Sequence, residues 1–515
     1  MRDDGEVTTA LRLRYAAAGE LSGLAGLALA LAGTALLRQR LTPPEAVAEA
    51  IIEATPGQVA VRLIHLVGRW DKPLLLTGVL VGLVVLSAVA GLLARRALWA
   101  GQAVFLGLGL LALISVITRP EGSVVGVLPV LVAAAVWTVA LRFLTDPLRA
   151  ASPAAADGSR LTDAARRDFL RRSGLVGVAA LVFAVGGRYI GRTRRGVEEA
   201  RARLRLPVTR GQVPSGAEVG VDGLLPWRIP GSQFYRIDTA VVVPAVAAST
   251  WRLRIHGLVD KEVTLTYQQL LDRQITEAWV TLCCVSNPVG GDLVGNAWWS
   301  GVRNADLLKE AGPQHGADAV LQTSQDGWTC GTPLSALTDG RDAMLAIAMN
   351  GAPLPLEHGF PVRMVVPGLY GFVSATKWVV DLELTRFADF TAFWTERGWS
   401  SHGPVKTESR IDVPRSNHRV TAGAVRVGGV AWAQHTGIER VEVRLDGGPW
   451  TPVDLGGVPS TDTWVQWAGT VQADAGNHSL AVRATDRSGY TQTGARVGVL
   501  PDGATGWHTI EFTAE

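Results

Sequence analysis

The chain is poor in cysteine: its 515 residues hold Cys283, Cys284 and Cys330 and no others. Two of the three are adjacent, an arrangement ill suited to a structural disulfide, and an odd count leaves at least one free thiol or metal ligand. The ordinary alternative is a small buried core residue. Net charge is scarce as well. A formal +3 gives no basic field for nucleic acid, so no such partner is expected. Histidine is absent from every long apolar run. His65 is the one histidine before residue 191 and reads as a loop residue. A haem held by two histidines of a helical bundle is therefore not expected, and no Cys-x-x-Cys-His is present to attach one covalently.

What the chain does have is divided unevenly. The 48% hydrophobic content averages two unlike halves, with nearly all long apolar runs before Gly191. A membrane span needs about 20 apolar residues, and the stretches 21–37, 73–94, 98–117 and 124–143 qualify. A fifth, 173–190, is completed if Arg188 snorkels. Residues 1–191 thus read as a membrane domain with five transmembrane helices. Arg95 and Arg96 fill one turn, and Arg142, Arg149, Arg160, Arg166, Arg167, Arg171 and Arg172 crowd the approach to the fifth span. The loop after the third span holds only Arg119 and Glu121. The positive-inside rule then places the N-terminus in the cytoplasm and everything after the fifth span outside. The loop 38–72 is external yet basic. It also holds Glu45, Glu49, Glu53 and Asp71, and a surface helix there would fit.

The sequence Arg166-Arg167-Asp168-Phe169-Leu170-Arg171 resembles the twin-arginine export signal, ahead of a modest apolar stretch. That machinery moves folded proteins, so it is an expected partner. A positive-inside cluster that happens to contain Arg-Arg is the plainer reading. No small-x-small cleavage site follows, and the segment is expected to stay attached as an anchor.

After an Arg-rich linker, 192–230, strand patterns begin. Trp251, Leu253 and Ile255 alternate with Arg252, Arg254 and His256, and helical stretches such as 268–271 and 303–308 are short. Residues 231–402 therefore read as an α+β domain with a mixed sheet. From 403 to 515 the alternations Val425/Val427, Val441/Val443/Leu445 and Leu480/Val482/Ala484 recur between Gly turns, which suggests a β-sandwich of immunoglobulin-like type. Trp432, Trp464 and Trp467 are expected in its core or interface, and its expected role is packing and homodimer formation.

Two stretches carry chemistry. One is Thr281-Leu282-Cys283-Cys284-Val285-Ser286-Asn287. The other runs Asn350-Gly351-Ala352-Pro353-Leu354-Pro355, His358-Gly359-Phe360-Pro361-Val362-Arg363, Val366-Pro367-Gly368, then Lys377-Trp378. The second is a loop pinned by Pro and Gly that presents His, Arg and Lys together, suited to an anionic ligand. A thiolate in the same domain is a soft ligand for a transition metal. A rigid surface loop with solvated charges is the plain alternative.

Both stretches resemble the molybdopterin domain of the sulfite oxidase family. The resemblance runs from about Phe234 to Asp381, and the β module that follows is similar to that family's dimerisation domain. It implies a molybdenum-pyranopterin cofactor ligated through its dithiolene and one protein cysteine. Cys284, with Ser286 and Asn287 after it, matches the ligand; Cys283 is one residue out of register, on the opposite face of a strand. His358 and Arg363 match phosphate and pterin contacts, Thr376 and Lys377 match the segment before Trp, and Asp326 is a further match. In Phe234-Tyr235-Arg236-Ile237-Asp238, Tyr235 and Arg236 match the element lining the active site. Two departures stand out. Asp238 replaces a histidine, and Trp399, in Phe393-Trp394-Thr395-Glu396-Arg397-Gly398-Trp399, stands where the family has a tyrosine. A carboxylate in place of a cation disfavours a dianion such as sulfite.

The implied activity is oxygen-atom transfer to or from a small molecule, by sulfite-like oxidation or S-/N-oxide reduction, on the outer face of the cytoplasmic membrane. Electrons would pass to or from a separate cytochrome or quinone-linked partner. Arg236 would orient substrate. Asp238 would relay a proton or pin Arg236. The rival of another class is a non-catalytic membrane receptor that binds its ligand through the β-sandwich.

Overall fold

The computed structural model describes residues 3–37, 39–67, 70–119, 124–150, 163–190 and 193–515; Arg38, Glu121 and Arg160 lie outside them. The chain divides into two compact units. One joins Met1–Gly196 with Thr239–Pro244; the other joins Val197–Asp238 with Ala245–Glu515.

The first unit is helical: α1 (Asp3–Leu36), α2 (Pro43–Ala54), α3 (Gly57–Val67), α4 (Asp71–Ala94), α5 (Leu98–Ile117), α6 (Val124–Ala150) and α7 (Asp163–Ile190). Of these, α1, α4, α5, α6 and α7 are long and apolar enough to cross a membrane. Hydropathy places the start of α1 too late. Arg12, Arg14 and Glu20 interrupt the apolar run, but no proline precedes Pro43 to stop the helix. Likewise α7 begins at Asp163 and takes the Arg166-Arg167 pair into its first turns, where Arg172 pairs with Asp168 at 2.9 Å. The segment 38–72 is largely helical, and His65 belongs to α3, not to a loop. Close packing of α1 on α4 rests on glycine. A Cβ on Gly91 would strike the Tyr15 carbonyl oxygen, and one on Gly19 the Ser87 carbonyl oxygen.

Arginines meet different surroundings at different places in this unit. Arg95 caps the C-terminal end of α4 and Arg149 lies in the last turn of α6. Arg40 and Arg119 instead meet acids: Glu49 lies 3.4 Å from Arg40 and 3.3 Å from Arg119, and Glu53 lies 2.5 Å from Arg119. Arg40 and Arg119, from the two loops expected outside, are therefore paired with acids of α2.

The second unit opens on the end of a helix, Thr193–Arg203, and then runs from 204 to 238 with no helix or strand, yet is tied down along its length. The Thr209 hydroxyl donates to Glu277 (2.8 Å), the Val219 N–H to Gln466 (3.1 Å) and the Ile229 N–H to the Asn296 carbonyl (2.9 Å), and Trp227 is fully buried. The expected linker is thus part of the folded body.

Ten strands follow: β1 (Arg252–Gly257), β2 (Val263–Thr266), β3 (Thr276–Cys283), β4 (Val294–Arg303), β5 (Ala319–Ser324), β6 (Thr329–Pro333), β7 (Met344–Met349), β8 (Ala352–Pro353), β9 (Arg363–Val365) and β10 (Val379–Thr385). One sheet runs β2-β1-β10-β5-β6, with β1 parallel to β10 and the other pairs antiparallel, which makes it mixed. The other runs β3-β4-β7-β8, with β9 also on β7. Its middle strand β7 is buried at every position, hence its unbroken apolar sequence Met-Leu-Ala-Ile-Ala-Met.

The C-terminal region holds two sheets. In one, β11 (Glu408–Val413), β13 (Gly423–Trp432), β17 (Val465–Ala473) and β16 (Asp454–Leu455) lie in that order. In the other the order is β12 (His418–Val420), β19 (His508–Ala514), β18 (Gly476–Asp486), β14 (Ile438–Leu445) and β15 (Thr451–Pro452). Val427 and Trp467 from the first share one core with Val443, Val482 and Phe512 from the second. Trp432, Trp464 and Trp467 are fully buried, and the Trp464 indole donates to the Trp227 carbonyl at 3.0 Å.

Candidate active site

Strand β3 ends at Cys283, and Cys284 opens the turn that follows. The Cys284 N–H donates to the Leu293 carbonyl (2.9 Å). The Asn287 N–H closes the turn on the Cys284 carbonyl (3.0 Å), and the Asn287 side chain accepts from the Leu293 N–H (2.9 Å). This explains the Asn three residues after the cysteine. Both thiols are buried but have different neighbours. Burial raises the Cys283 thiol pKa well above its usual value, Glu408 adds to that, and Arg410 opposes it. Burial also raises Cys284, but hydrogen bonds from Ser286 and the Lys377 ammonium pull it back toward thiolate. Of the two, Cys284 has the surroundings of a ligand.

The loop between β7 and β9 brings the charged groups together. Asn350 takes a left-handed conformation (φ 53°). Its side chain accepts from the Trp298 N–H (3.1 Å) and donates to the Ile229 carbonyl (2.9 Å), which stitches down the arm leading to Arg236. Gly359 (φ +103°) is required, because a Cβ there would lie 3.0 Å from the Arg363 Cβ and 3.1 Å from the Lys377 Cα. The Trp378 indole donates to the Leu356 carbonyl (2.9 Å) and fixes the other side of the loop.

Within this frame His358 Nε2 faces the Gly231 carbonyl at 2.9 Å, while its Nδ1 is buried with no partner among the described residues. Burial, then Lys377 and Arg363, push its pKa down to about 3, so the ring is neutral. Arg363 is buried. Its guanidinium sits 5.0 Å from the Trp299 ring and donates only to the Met364 and His358 carbonyls (3.3 Å each), and among the described residues it has no carboxylate partner. Burial lowers it to about 10. Tyr235 stacks on Phe234 (5.2 Å); burial and then the Cys284 and Cys283 thiols raise its phenol, with Arg363 opposing. Asp238 accepts from Arg236 Nε and Lys377 Nζ through the same oxygen, Oδ2, at 3.0 Å each.

Cys284, Tyr235, Arg236, Asp238, His358, Arg363 and Lys377 thus converge. Three other expected residues are placed differently. The Thr376 hydroxyl is fully buried and is taken up by Gln322 (2.6 Å) and Cys330 (3.2 Å), on the core side of Lys377. Asp326 lies in the β5–β6 turn and accepts from the Trp328 N–H (3.3 Å), next to the Gln325 N–H that holds the Trp378 carbonyl (2.8 Å). Trp399 is buried against Phe372 (5.9 Å) and Trp394 (6.3 Å), and its indole N–H has no partner. Sequence reasoning missed Glu408, a buried carboxylate from β11 whose pKa burial raises to about 8. It also missed Trp299 as the platform under Arg363.

Among the described residues, three cations surround a neutral histidine whose buried Nδ1 has no partner, with the Asp238 carboxylate on two of them; together they form a cradle for an anionic group. Among the described residues no cluster of three or more His, Cys, Asp or Glu is placed to hold a metal. A metal here would depend on one thiolate and on ligands brought with that anionic group.

Residues 240–394 match the family described as oxidoreductase molybdopterin binding domain. The chain is 34% identical over 153 residues to the "Uncharacterized oxidoreductase YuiH" of Bacillus subtilis (strain 168), covering 30% of this chain and 74% of that one. It is 28% identical over 352 residues to the sulfite oxidase of Gallus gallus, covering 58% and 76%. In fold it is similar to the sulfane dehydrogenase SoxCD of Paracoccus pantotrophus, with a TM-score of 0.50, 22% identity and coverage of 62% and 92%. The chain belongs to the sulfite oxidase family of molybdopterin-binding oxidoreductases. It is an enzyme, and the receptor reading falls.

Proposed function

We propose that the chain is a membrane-anchored oxygen-atom-transfer enzyme acting on a small neutral or singly charged substrate at the outer face of the cytoplasmic membrane. The observation that carries the substrate class is Asp238, whose carboxylate contacts both Arg236 and Lys377 and cancels one of their two charges, which weakens the pocket's attraction for a dianion. Cys284 is the thiolate ligand. His358, Arg363 and Lys377 hold the pterin and its phosphate, with Asp326 and Tyr235 flanking. When bound, the molybdenum cofactor supplies two-electron redox chemistry coupled to oxygen transfer. Arg236, two-fifths exposed, orients the substrate. Asp238 pins Arg236, the choice its two 3.0 Å contacts favour over a free proton relay. Sulfite-like oxidation and S- or N-oxide reduction both fit, with a separate cytochrome or quinone-linked protein exchanging electrons. The C-terminal sheets form an immunoglobulin-like homodimerisation module.

Asp238→His tests the substrate reading. Removing the shared carboxylate takes a negative charge from beside two cations, and unit charges about 4 Å apart at an effective dielectric near 20 interact by about 4 kcal/mol. Solvent reaching Arg236 reduces this, so the ratio of kcat/KM for sulfite over a neutral sulfoxide should rise at least about tenfold, or ~1.4 kcal/mol. An unchanged ratio would remove Asp238 from substrate selection.

The outward location rests on the charge pattern, with Arg40 and Arg119 paired with acids while Arg95 and Arg149 stand at the ends of α4 and α6. Export through the twin-arginine machinery rests on Arg166 and Arg167. Arg166→Lys with Arg167→Lys keeps the charge, so positive-inside topology is retained and only a receptor for the Arg pair is affected. The double variant should leave the catalytic domain protected from protease added to spheroplasts. Cleavage as in wild type would return the segment to an ordinary topogenic cluster.

A further inference from the structure

The strand that leads to Cys284 stands at an edge: β3 ends the sheet order β3-β4-β7-β8. Backbone groups on the outer side of such a strand need partners from elsewhere. Thr281 finds them in the C-terminal region of the same compact unit. Its N–H donates to the Asp462 carbonyl (2.9 Å), and its carbonyl accepts from the Gln434 side chain (3.1 Å). The turn after Cys284 is gripped a second time. Its neck is closed by the Cys284 N–H on the Leu293 carbonyl, and the Gly291 N–H folds back on the Pro288 carbonyl (2.8 Å). The Gly291 carbonyl is taken by Arg410 Nη1 of β11 at 2.7 Å. Arg410 is almost wholly buried, and Asp412 holds the rest of its fork, Nε at 2.6 Å and Nη2 at 3.2 Å. Beside it the Ile411 N–H donates to His508 Nδ1 (2.9 Å). The His508 ring lies so close to Gly290 (φ +78°) that a Cβ there would strike it.

We propose that Arg410 is a positioning residue for the metal ligand: by holding the Gly291 carbonyl it fixes the closed turn that carries Cys284, so the C-terminal sheets shape the metal site as well as forming their own core. Cys284 stands three residues after the grip at Thr281 and seven before the grip at Gly291. Asn287 cross-links the turn between them through its N–H on the Cys284 carbonyl and its side chain on the Leu293 N–H. A displacement at Gly291 is therefore passed to the thiol and not absorbed in slack chain. A buried arginine keeps its charge only against good partners, and here one of those partners is the turn itself. The inference rests on the reading of Cys284 as the ligand.

The test uses the full chain, solubilised in detergent with its cofactor. In Arg410→Ala, amide exchange over 284–293 should quicken at least about tenfold, the size expected from one lost charge-assisted hydrogen bond. The g-values of the Mo(V) electron paramagnetic resonance signal of the reduced enzyme should shift, since they report the setting of the thiolate. If Arg410→Ala does not fold or loads no metal, Arg410→Lys keeps a cation beside Asp412. An ammonium lacks the fork that spans Asp412 and Gly291 together, so the same two changes should appear. Ser409→Ala is the control for a merely structural effect. It breaks the buried bond from Ser409 to Gln492 (2.7 Å), one residue away and inside the C-terminal sheets. It should lower Tm while exchange over 284–293 and the Mo(V) signal stay as in wild type. Wild-type exchange over 284–293 in a folded Arg410 variant, an unshifted Mo(V) signal there, or the same changes in Ser409→Ala overturns the positioning role. Cys284→Ser, measured alongside, separates the two claims: turnover retained there overturns the choice of ligand, whatever Arg410 does to exchange.

Discussion

Cys284→Ser is expected to reduce turnover to background, while Cys283→Ser keeps most of it. A serine hydroxyl stays protonated in a buried site and is a poor ligand for a metal that prefers thiolate. The cradle of His358, Arg363 and Lys377 is untouched by that change, so pterin should remain bound in Cys284→Ser. Cys283 lies on the Glu408 and Arg410 side, and its weak contact is with the Cys284 carbonyl at 3.5 Å. Replacing it buries a hydroxyl in an apolar place, at a cost of about 1–3 kcal/mol, which should show as a lower Tm and not as lost chemistry. Steady-state rates, pterin content and thermal unfolding of both variants decide the matter. Equal loss of turnover in the two would undo the choice of ligand.

The second large effect is on stability. Burial raises Glu408 to about 8, with Lys406 and Asn287 opposing, and its Oε1 is buried with no partner. At neutral pH the folded protein therefore holds a neutral acid where the unfolded chain has a carboxylate. Because the folded pKa is raised, the stability linked to this group is fully present below the unfolded value near 4.5. It declines as pH rises and is lost once pH passes about 8. A shift of this size corresponds to an upper bound of ~5 kcal/mol across that window. Glu408→Gln is neutral at every pH and should abolish most of the slope. Its Tm should match wild type near pH 5 and exceed it clearly at pH 9. Parallel curves for the two proteins would mean that Glu408 is already ionised in the fold.

Much of this was legible in the sequence because the signals are local. Apolar runs located the long apolar helices, and alternation located β1, β14 and β18. The Asn350-Gly351 and His358-Gly359 pairs mark backbone turns that the structure uses to bring Arg363 and Lys377 together. What escaped depends on distant partners. Nothing near Asp238 announces that Lys377, 139 residues on, shares its carboxylate with Arg236. One carboxylate between two cations leaves the group net positive, which the sequence around Asp238 does not reveal. Glu408 sits in an ordinary strand sequence, and only the fold sets it against Cys283. The segment 204–238 looks like a linker because it has no regular structure, yet its hydrogen bonds run to β3, β4 and β17. In the helical half, hydropathy could not extend α1 and α7 over their charged turns, because it weighs apolarity and not the absence of helix breakers.

The central claim is that these residues hold a molybdenum-pterin cofactor through Cys284 and the His358–Arg363–Lys377 cradle. The most direct measurement is the molybdenum and pyranopterin content of the full chain, purified from membranes of cells supplied with molybdate. The account predicts equimolar molybdenum, pterin and protein. Folded protein that carries neither would contradict it.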